Sequence, residues 1–402
     1  MLKNKTIGST LIIAGTTIGA GMLALPIASA GLGFTTAIIV LLLAWCLMTY
    51  TALLMLEVHQ HADTSATLNT LAKSLLGKKG QVVANFSMIF LFYALCAAYI
   101  AGGGSQLQIK LSQWFSADIP PQLGAIAFAI VFGSIITLGT STVDKVNRIL
   151  FTVKILVLLT MFFMLTPFVR GQHLLEMPLE QGFILSALPV IFTSFGFHGS
   201  IPSIVKYVGI DIKSLRRVMI IGASLPLVIY LFWQLLSQGI MAQDQLMASG
   251  GLGGFISSVS EKLNQPNISQ AVAIFADLAL ATSFLGVSLG LFDFFSDALK
   301  KGDGKSDRVK TATITFLPPL CFALFYPQGF ITALGYAAIA LVILAVFLPV
   351  AMVWKQRKHR QYTQDCYQVK GGNLGLMSAT CAGVAIITAQ CLQMFGVIPA
   401  VG

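Results

Sequence analysis

Charge is what this chain has least of. Among its 402 residues only 10% are Asp, Glu, Lys or Arg, while 56% are hydrophobic and the mean hydropathy is +0.83. The length alone would allow two or three soluble domains. So sparse a charge excludes them and points to an all-α polytopic membrane protein, with membrane lipid as its surroundings. Acidic residues are the scarcer sign, 15 against 25 basic ones. That excess would suggest nucleic acid, but the basic residues are scattered through short loops, where they orient helices, so no nucleic-acid partner is expected. The six cysteines form no CxxC pair and five lie in apolar segments, so neither disulfides nor a metal site is expected. HExxH, GxSxG, a phosphate loop and an acid pair beside a nucleophile are all missing, which argues against an enzyme, and no cofactor is implied. Rings of charge and repeated filter sequences, which a pore would need, are missing too.

What remains is apolar sequence long enough to cross a bilayer many times. Eleven spans are expected near 6–31, 34–57, 80–108, 122–140, 147–169, 181–206, 216–241, 267–299, 310–326, 329–353 and 374–397. The first carries no small-residue cleavage pattern that outweighs its role as a span, and is expected to be retained. With a cytoplasmic N-terminus, 21 of the 25 basic residues fall on the inner side and three (Lys110, Arg170 and Lys262) on the outer side. That asymmetry sets the orientation, puts the C-terminus outside and supports the span count. No loop is long enough for a core of its own. Residues 242–266, with Gly250-Gly251-Leu252-Gly253-Gly254, read as a flexible outer loop or a short interfacial helix.

Span 1 is not a plain helix. It contains Gly15-Thr16-Thr17-Ile18-Gly19-Ala20-Gly21-Met22-Leu23-Ala24-Leu25-Pro26, where glycine tolerates unusual backbone angles and proline removes a donor. Unpaired backbone groups at membrane depth are costly unless they line a cavity or bind something. Span 6 holds a matching stretch, Thr193-Ser194-Phe195-Gly196-Phe197-His198-Gly199-Ser200-Ile201-Pro202. Two hydroxyl residues, an apolar residue, two glycines and a proline recur in the same order. The copies stand five helices apart, an odd number, so the second is inverted relative to the first. Glycine and proline are frequent in membrane helices, but a matched pair of interrupted spans points to a transporter site at an inverted-repeat interface. Such breaks suit a zwitterion. The half-helix after the break presents N–H groups to a carboxylate, and the carbonyls ending the half before it face an ammonium.

These residues resemble those of the bacterial aromatic amino-acid permeases, a family within the LeuT-type amino-acid permeases. The resemblance is carried by Ala14 to Ala24, by Phe192 to Ser200, by Ala276-Asp277-Leu278-Ala279-Leu280-Ala281-Thr282-Ser283-Phe284-Leu285-Gly286, and by Thr315-Phe316-Leu317-Pro318-Pro319. It covers essentially the whole chain. It implies a 5+5 inverted repeat, 1–170 and 181–353, with a peripheral eleventh span at 374–397. It also implies proton-coupled import of an aromatic amino acid, L-tyrosine foremost, across the bacterial inner membrane, with sodium coupling or a broader aromatic range as the alternative. The Gly19, Ala20 and Gly21 amides would hold the substrate carboxylate, although Ala20 stands where some permeases have serine, so a hydroxyl contact is lost. The Thr17 and Ile18 carbonyls, with Ser194 and Phe195, would take the ammonium, and Phe195 would wall off the side chain.

Few ionisable residues lie within the spans, so each is a candidate. Lys154 sits about one and a half turns beyond Arg148 in span 5. A lysine at the bilayer centre costs about 2.5–3.5 kcal/mol. Either its stem lifts the ammonium back to the inner surface, or it occupies a cation site against span 1 near Gly15 and Ile18. Sodium-coupled relatives of the fold place sodium there with two span 8 hydroxyls, which Thr282 and Ser283 match; an ammonium in that place would replace sodium and couple transport to protons. Asp277 is a second deep candidate, as a proton carrier, a ligand for a polar substrate group, or a structural hydrogen-bond partner of a break. His198 could bond a phenol, take part in proton transfer, or cap freed carbonyls. In span 3, Tyr99 and Gln106 flank the small-residue run Gly102-Gly103-Gly104, which either packs helices closely or leaves a slot for an aromatic ring.

Overall fold

A computed structural model describes residues 2–177, 181–298, 305–359 and 366–399. Every regular element among them is helical. Lys300, Lys301 and Arg360, three of the charges used above to orient the chain, lie outside the described residues.

Helices stand at all eleven expected places. Span 1 is two half-helices, α1 (Leu2–Thr17) and α2 (Ala20–Ala28). Then follow α3 (Phe34–His59), α4 (Leu68–Phe115), α5 (Pro121–Leu138) and α6 (Thr140–Leu165). Span 6 is again two pieces, α7 (Gln181–Ser194) and α8 (Ile201–Val208). The chain continues through α9 (Ile212–Ile240), the short α10 (Gln243–Met247) and α11 (Leu252–Leu263), α12 (Pro266–Ala298), α13 (Lys305–Phe325), α14 (Phe330–Val342), α15 (Leu348–His359) and α16 (Gly372–Met394). A single π-helical stretch, Ile343–Phe347, joins α14 to α15 into one span.

By length and apolarity, nine described helices could cross a membrane, or ten if α1 and α2 count as one span. The eleventh, α13, is a full 21 residues but carries Lys305, Asp307, Arg308 and Lys310 in its first two turns, which dilutes its apolar stretch. Several boundaries move outward from those expected. α4 begins at Leu68 because a capping box closes its start: the Thr70 amide donates to Thr67 Oγ1 at 3.3 Å, and the Thr67 amide to Thr70 Oγ1 at 2.8 Å. It then kinks at Gly77, whose φ of +77° falls where a side chain is strained. The glycine-rich stretch at 242–266 is more ordered than a flexible loop. Leu252, Phe255, Ile256 and Val259 bury one face of α11, and Phe255 meets Trp233 edge-on at 6.0 Å.

The core lies where the two broken spans meet their neighbours. α2 packs on α7, α1 and α3 pack on α9, α4 packs on α14, and α12 packs on both α6 and α4. This arrangement brings α6, α9 and α12 around the span 1 break from different sides.

Candidate functional site

Both expected interruptions exist. α1 and α2 meet at 49° across Ile18 and Gly19. Gly19 is extended, with φ −143° and ψ −151°, so its backbone angles do not require glycine. Proximity does. A Cβ on Gly19 would run into the Ser283 hydroxyl, and one on Gly21 would lie 3.1 Å from the Ser194 Cα. Glycine here lets α12 and α7 close on the break, a different reason from the backbone freedom expected. In span 6, α7 ends at Ser194, and Phe195 and Gly196 bond back to Phe192 and Thr193 (3.1 Å each). His198–Ser200 then form one 3-10 turn before α8.

Three elements fasten the span 1 break. From α6, Lys154 is only 1% exposed. Its ammonium donates to the Ile18 carbonyl at 2.8 Å and to Thr282 Oγ1 at 3.1 Å, over the Phe151 ring at 4.8 Å. The stem therefore does not carry the charge to the surface. Among the described residues no carboxylate pairs with it. Gly15 contributes space rather than a ligand, since a Cβ there would sit 3.1 Å from the Phe151 ring that underlies the ammonium.

From α12 the two hydroxyls divide their work. Thr282 turns to Lys154, whereas Ser283 accepts the Ala20 amide at 3.0 Å. Ser283 thus stands at the start of α2 rather than on the Lys154 ammonium.

From α9 comes a residue that the sequence reading missed. The buried Tyr230 hydroxyl lies 2.6 Å from the Thr17 carbonyl and 2.7 Å from that of Ser194, so it bridges the two breaks. One phenolic proton serves two acceptors; the Thr17 carbonyl also takes the Gly19 amide at 2.8 Å, so it is the Ser194 carbonyl that depends on Tyr230. The Tyr230 ring also meets the buried Phe195 edge-on at 5.1 Å. Farther along α9, Trp233 donates to the Met22 carbonyl at 3.0 Å, and Gln234 and Gln238 both donate to the Ser29 hydroxyl. The spacing of Tyr230, Gln234 and Gln238 at i, i+4, i+8 in an apolar span was the available signal.

Other expected residues lie elsewhere. Asp277 is not an isolated carboxylate: it forms an ion pair with Lys110 of α4, and the two side chains are 32% and 29% exposed. His198 is buried and pairs through Nε2 with Thr51 Oγ1 of α3 at 2.9 Å, beside Phe197, which puts it on a helix contact and not on a freed carbonyl. The Thr17 and Ser194 hydroxyls bond back to Ile13 and Ile191 within their own helices, leaving only their carbonyls to face the breaks. Tyr99 and Gln106 are buried on α4. The glycines between them are spent on close packing, since a Cβ on Gly104 would lie 2.6 Å from the Ala125 backbone and one on Gly102 2.9 Å from Leu280. Gly21, Gly196 and Ser283 keep partial exposure, while Thr17, Ile18, Ala20 and Phe195 are buried.

Comparison with known proteins agrees with this architecture. The family model described as the tryptophan/tyrosine permease family matches residues 2–390. Tyrosine-specific transport system 1 of Haemophilus influenzae is 42% identical over 401 residues, covering 98% of this chain and 99% of the relative. Tyrosine-specific transport system 2 of the same organism is 40% identical over the whole of both chains, and its tryptophan-specific transport protein is 37% identical, covering 97% of each. A match from end to end, on a bundle of apolar helices with two interrupted spans, identifies a multi-pass membrane permease and not an enzyme: this chain belongs to the tryptophan/tyrosine permease family.

Proposed function

We propose that this protein imports an aromatic amino acid, L-tyrosine first, across the bacterial inner membrane by proton-coupled alternating access around the two breaks. The observation that carries the proposal is the buried Lys154 ammonium on the Ile18 carbonyl and the Thr282 hydroxyl. A fixed cation occupies the place between spans 1 and 8 where sodium-coupled relatives of the fold hold their ion, so a proton gained or lost there takes over the task of sodium. Burial without a carboxylate partner makes the charged state costly and therefore responsive to its surroundings. The substrate class rests on the two tyrosine-specific relatives, each more than 95% covered. The substrate ammonium would add a donor to the two carbonyls that share the single Tyr230 proton, and its carboxylate would take the amides at the start of α2.

The neighbour pattern supports a 5+5 repeat. Span 3 (α4) packs on span 10 (α14) as span 8 (α12) packs on span 5 (α6). Span 4 (α5) lies on span 3 as span 9 (α13) lies on span 8, and α1 rests on span 7 (α9) as α7 rests on span 2 (α3). Each pair maps onto the other when spans 1–5 are exchanged for spans 6–10. α16 packs on α7 and α14 at the periphery. The N-terminus is cytoplasmic in this reading and the C-terminus periplasmic.

Tyrosine uptake into proteoliposomes under an imposed pH gradient tests the proposal. Wild-type protein should accumulate tyrosine without sodium. Lys154→Gln should bind tyrosine yet lose accumulation, lowering initial rates by about ten- to a hundredfold, the worth of a charged hydrogen bond. Accumulation by that variant with an unchanged pH profile would refute the coupling role. Competition by excess tryptophan or phenylalanine measures the breadth of the pocket.

A further inference from the structure

We infer that the Ser283 hydroxyl is a built-in stand-in for the substrate carboxylate: it holds α12 to the start of α2 when the site is empty, and the arriving carboxylate displaces it. The inference rests on the substrate reading above.

Three observations meet at one point. The Ala20 amide, the first of α2, donates to Ser283 Oγ at 3.0 Å, across helices that are 263 residues apart in sequence. Gly19 is bare on the side facing α12, and any Cβ there would strike that same hydroxyl. Ser283 itself remains partly exposed, although its neighbour Thr282 is buried. A buried structural cap would have no need of access; a displaceable one does. The local chemistry sets the direction of exchange. A helix start favours an anion over a neutral dipole, and a carboxylate accepts an N–H about twice as strongly as a hydroxyl. The N-cap residue is Gly19, which has no side chain, so α2 cannot cap itself, and the hydroxyl reaches in from α12 instead.

The arrangement gives α12 two separate ties to the same break. Thr282 is bound through the Lys154 ammonium, and Ser283 directly to the Ala20 amide. Substrate would cut the second tie and leave the first. In the empty protein Ser283 keeps the break closed against α12, and it therefore competes with tyrosine for the amide.

The sign of the effect separates this role from ordinary substrate contact. Tyrosine affinity should be measured by calorimetry on the purified full-length protein, for wild type, Ser283→Ala and Ser283→Cys, with tyramine as the probe that lacks a carboxylate. Removing the competitor should tighten tyrosine binding by roughly two- to tenfold, the worth of one neutral hydrogen bond. Ser283→Cys, a weaker acceptor, should fall between. Tyramine competition should be the same in all three proteins. Unchanged or weaker tyrosine binding in Ser283→Ala overturns the inference and leaves the substrate reading intact. Equal tightening for tyrosine and tyramine also overturns it, because the site has then merely loosened. If folded wild-type protein binds no tyrosine, the substrate reading falls and this inference with it.

Discussion

The two interrupted spans are alike in lettering and unlike in fastening. The span 1 break is held by a cation from α6, a hydroxyl from α12 and a phenol from α9. The span 6 break shares the phenol, but its own histidine turns away to Thr51 of α3. One break therefore carries the ammonium and the contact with α12, and the other does not. Repeated sequence yields an interruption in both spans, whereas the side chains that neighbouring helices bring set the two apart. The Asp277–Lys110 pair makes the same point from farther off, since it is the neighbouring α4, and not the repeated lettering, that brings Lys110 to the carboxylate.

This asymmetry can be tested by loosening each break in turn. The largest effect is expected from the residue that joins them. Tyr230→Phe removes the only donor shared by the Thr17 and Ser194 carbonyls among the contacts described. The Thr17 carbonyl keeps the Gly19 amide, but leaving the Ser194 carbonyl unsatisfied costs about 1–3 kcal/mol, so kcat/KM for tyrosine uptake should fall by roughly 5- to 150-fold. Near-normal uptake by Tyr230→Phe would remove the bridge from the mechanism.

A smaller effect is expected from the glycines, and it should differ between the copies. Gly21→Ala brings a methyl to 3.1 Å from the Ser194 backbone, while Gly199→Ala meets nothing within 4 Å. Overpacking costs about 1–3 kcal/mol; the first variant should lose at least fivefold in tyrosine affinity and the second stay within twofold. Equal losses would mean that the close approach of the two spans is not what the glycine secures.

The smallest effect is expected at His198. Its Nε2 contact with Thr51 ties α3 to the turn before α8, so His198→Gln should lower the melting temperature by a few degrees, about 1 kcal/mol, with tyrosine affinity within twofold of wild type. A shifted pH profile of uptake in this variant would instead return His198 to the proton path.

Much of the site was legible because membrane depth makes exceptions conspicuous. A lysine in an apolar run, or glycine, threonine and proline where leucine belongs, must be accounted for in hydrocarbon. Such exceptions singled out Lys154 and the span 1 break; the resemblance to the sodium-coupled fold linked Lys154 to Ile18 and Thr282, and also to Gly15 and Ser283, which lie off the ammonium. The partner of Asp277 was missed because its offset from Thr282 gives height along α12 but says nothing of which neighbour faces it. Tyr230 was overlooked because a tyrosine within a span also fits ordinary packing, and its importance lies in two carbonyls 36 and 213 residues away.

The sequence by itself determined that the chain crosses a membrane many times, that two spans are interrupted in matching places, and that a lysine lies within a span. Hydropathy, glycine and proline act locally, and their consequences do not depend on what packs alongside. Only the tertiary structure decided which donor meets which acceptor: that Ser283 reaches the Ala20 amide, that Tyr230 joins the breaks, and that Asp277 finds Lys110. Those pairings depend on how each helix is rotated about its axis, and that rotation follows from close packing among spans distant in sequence.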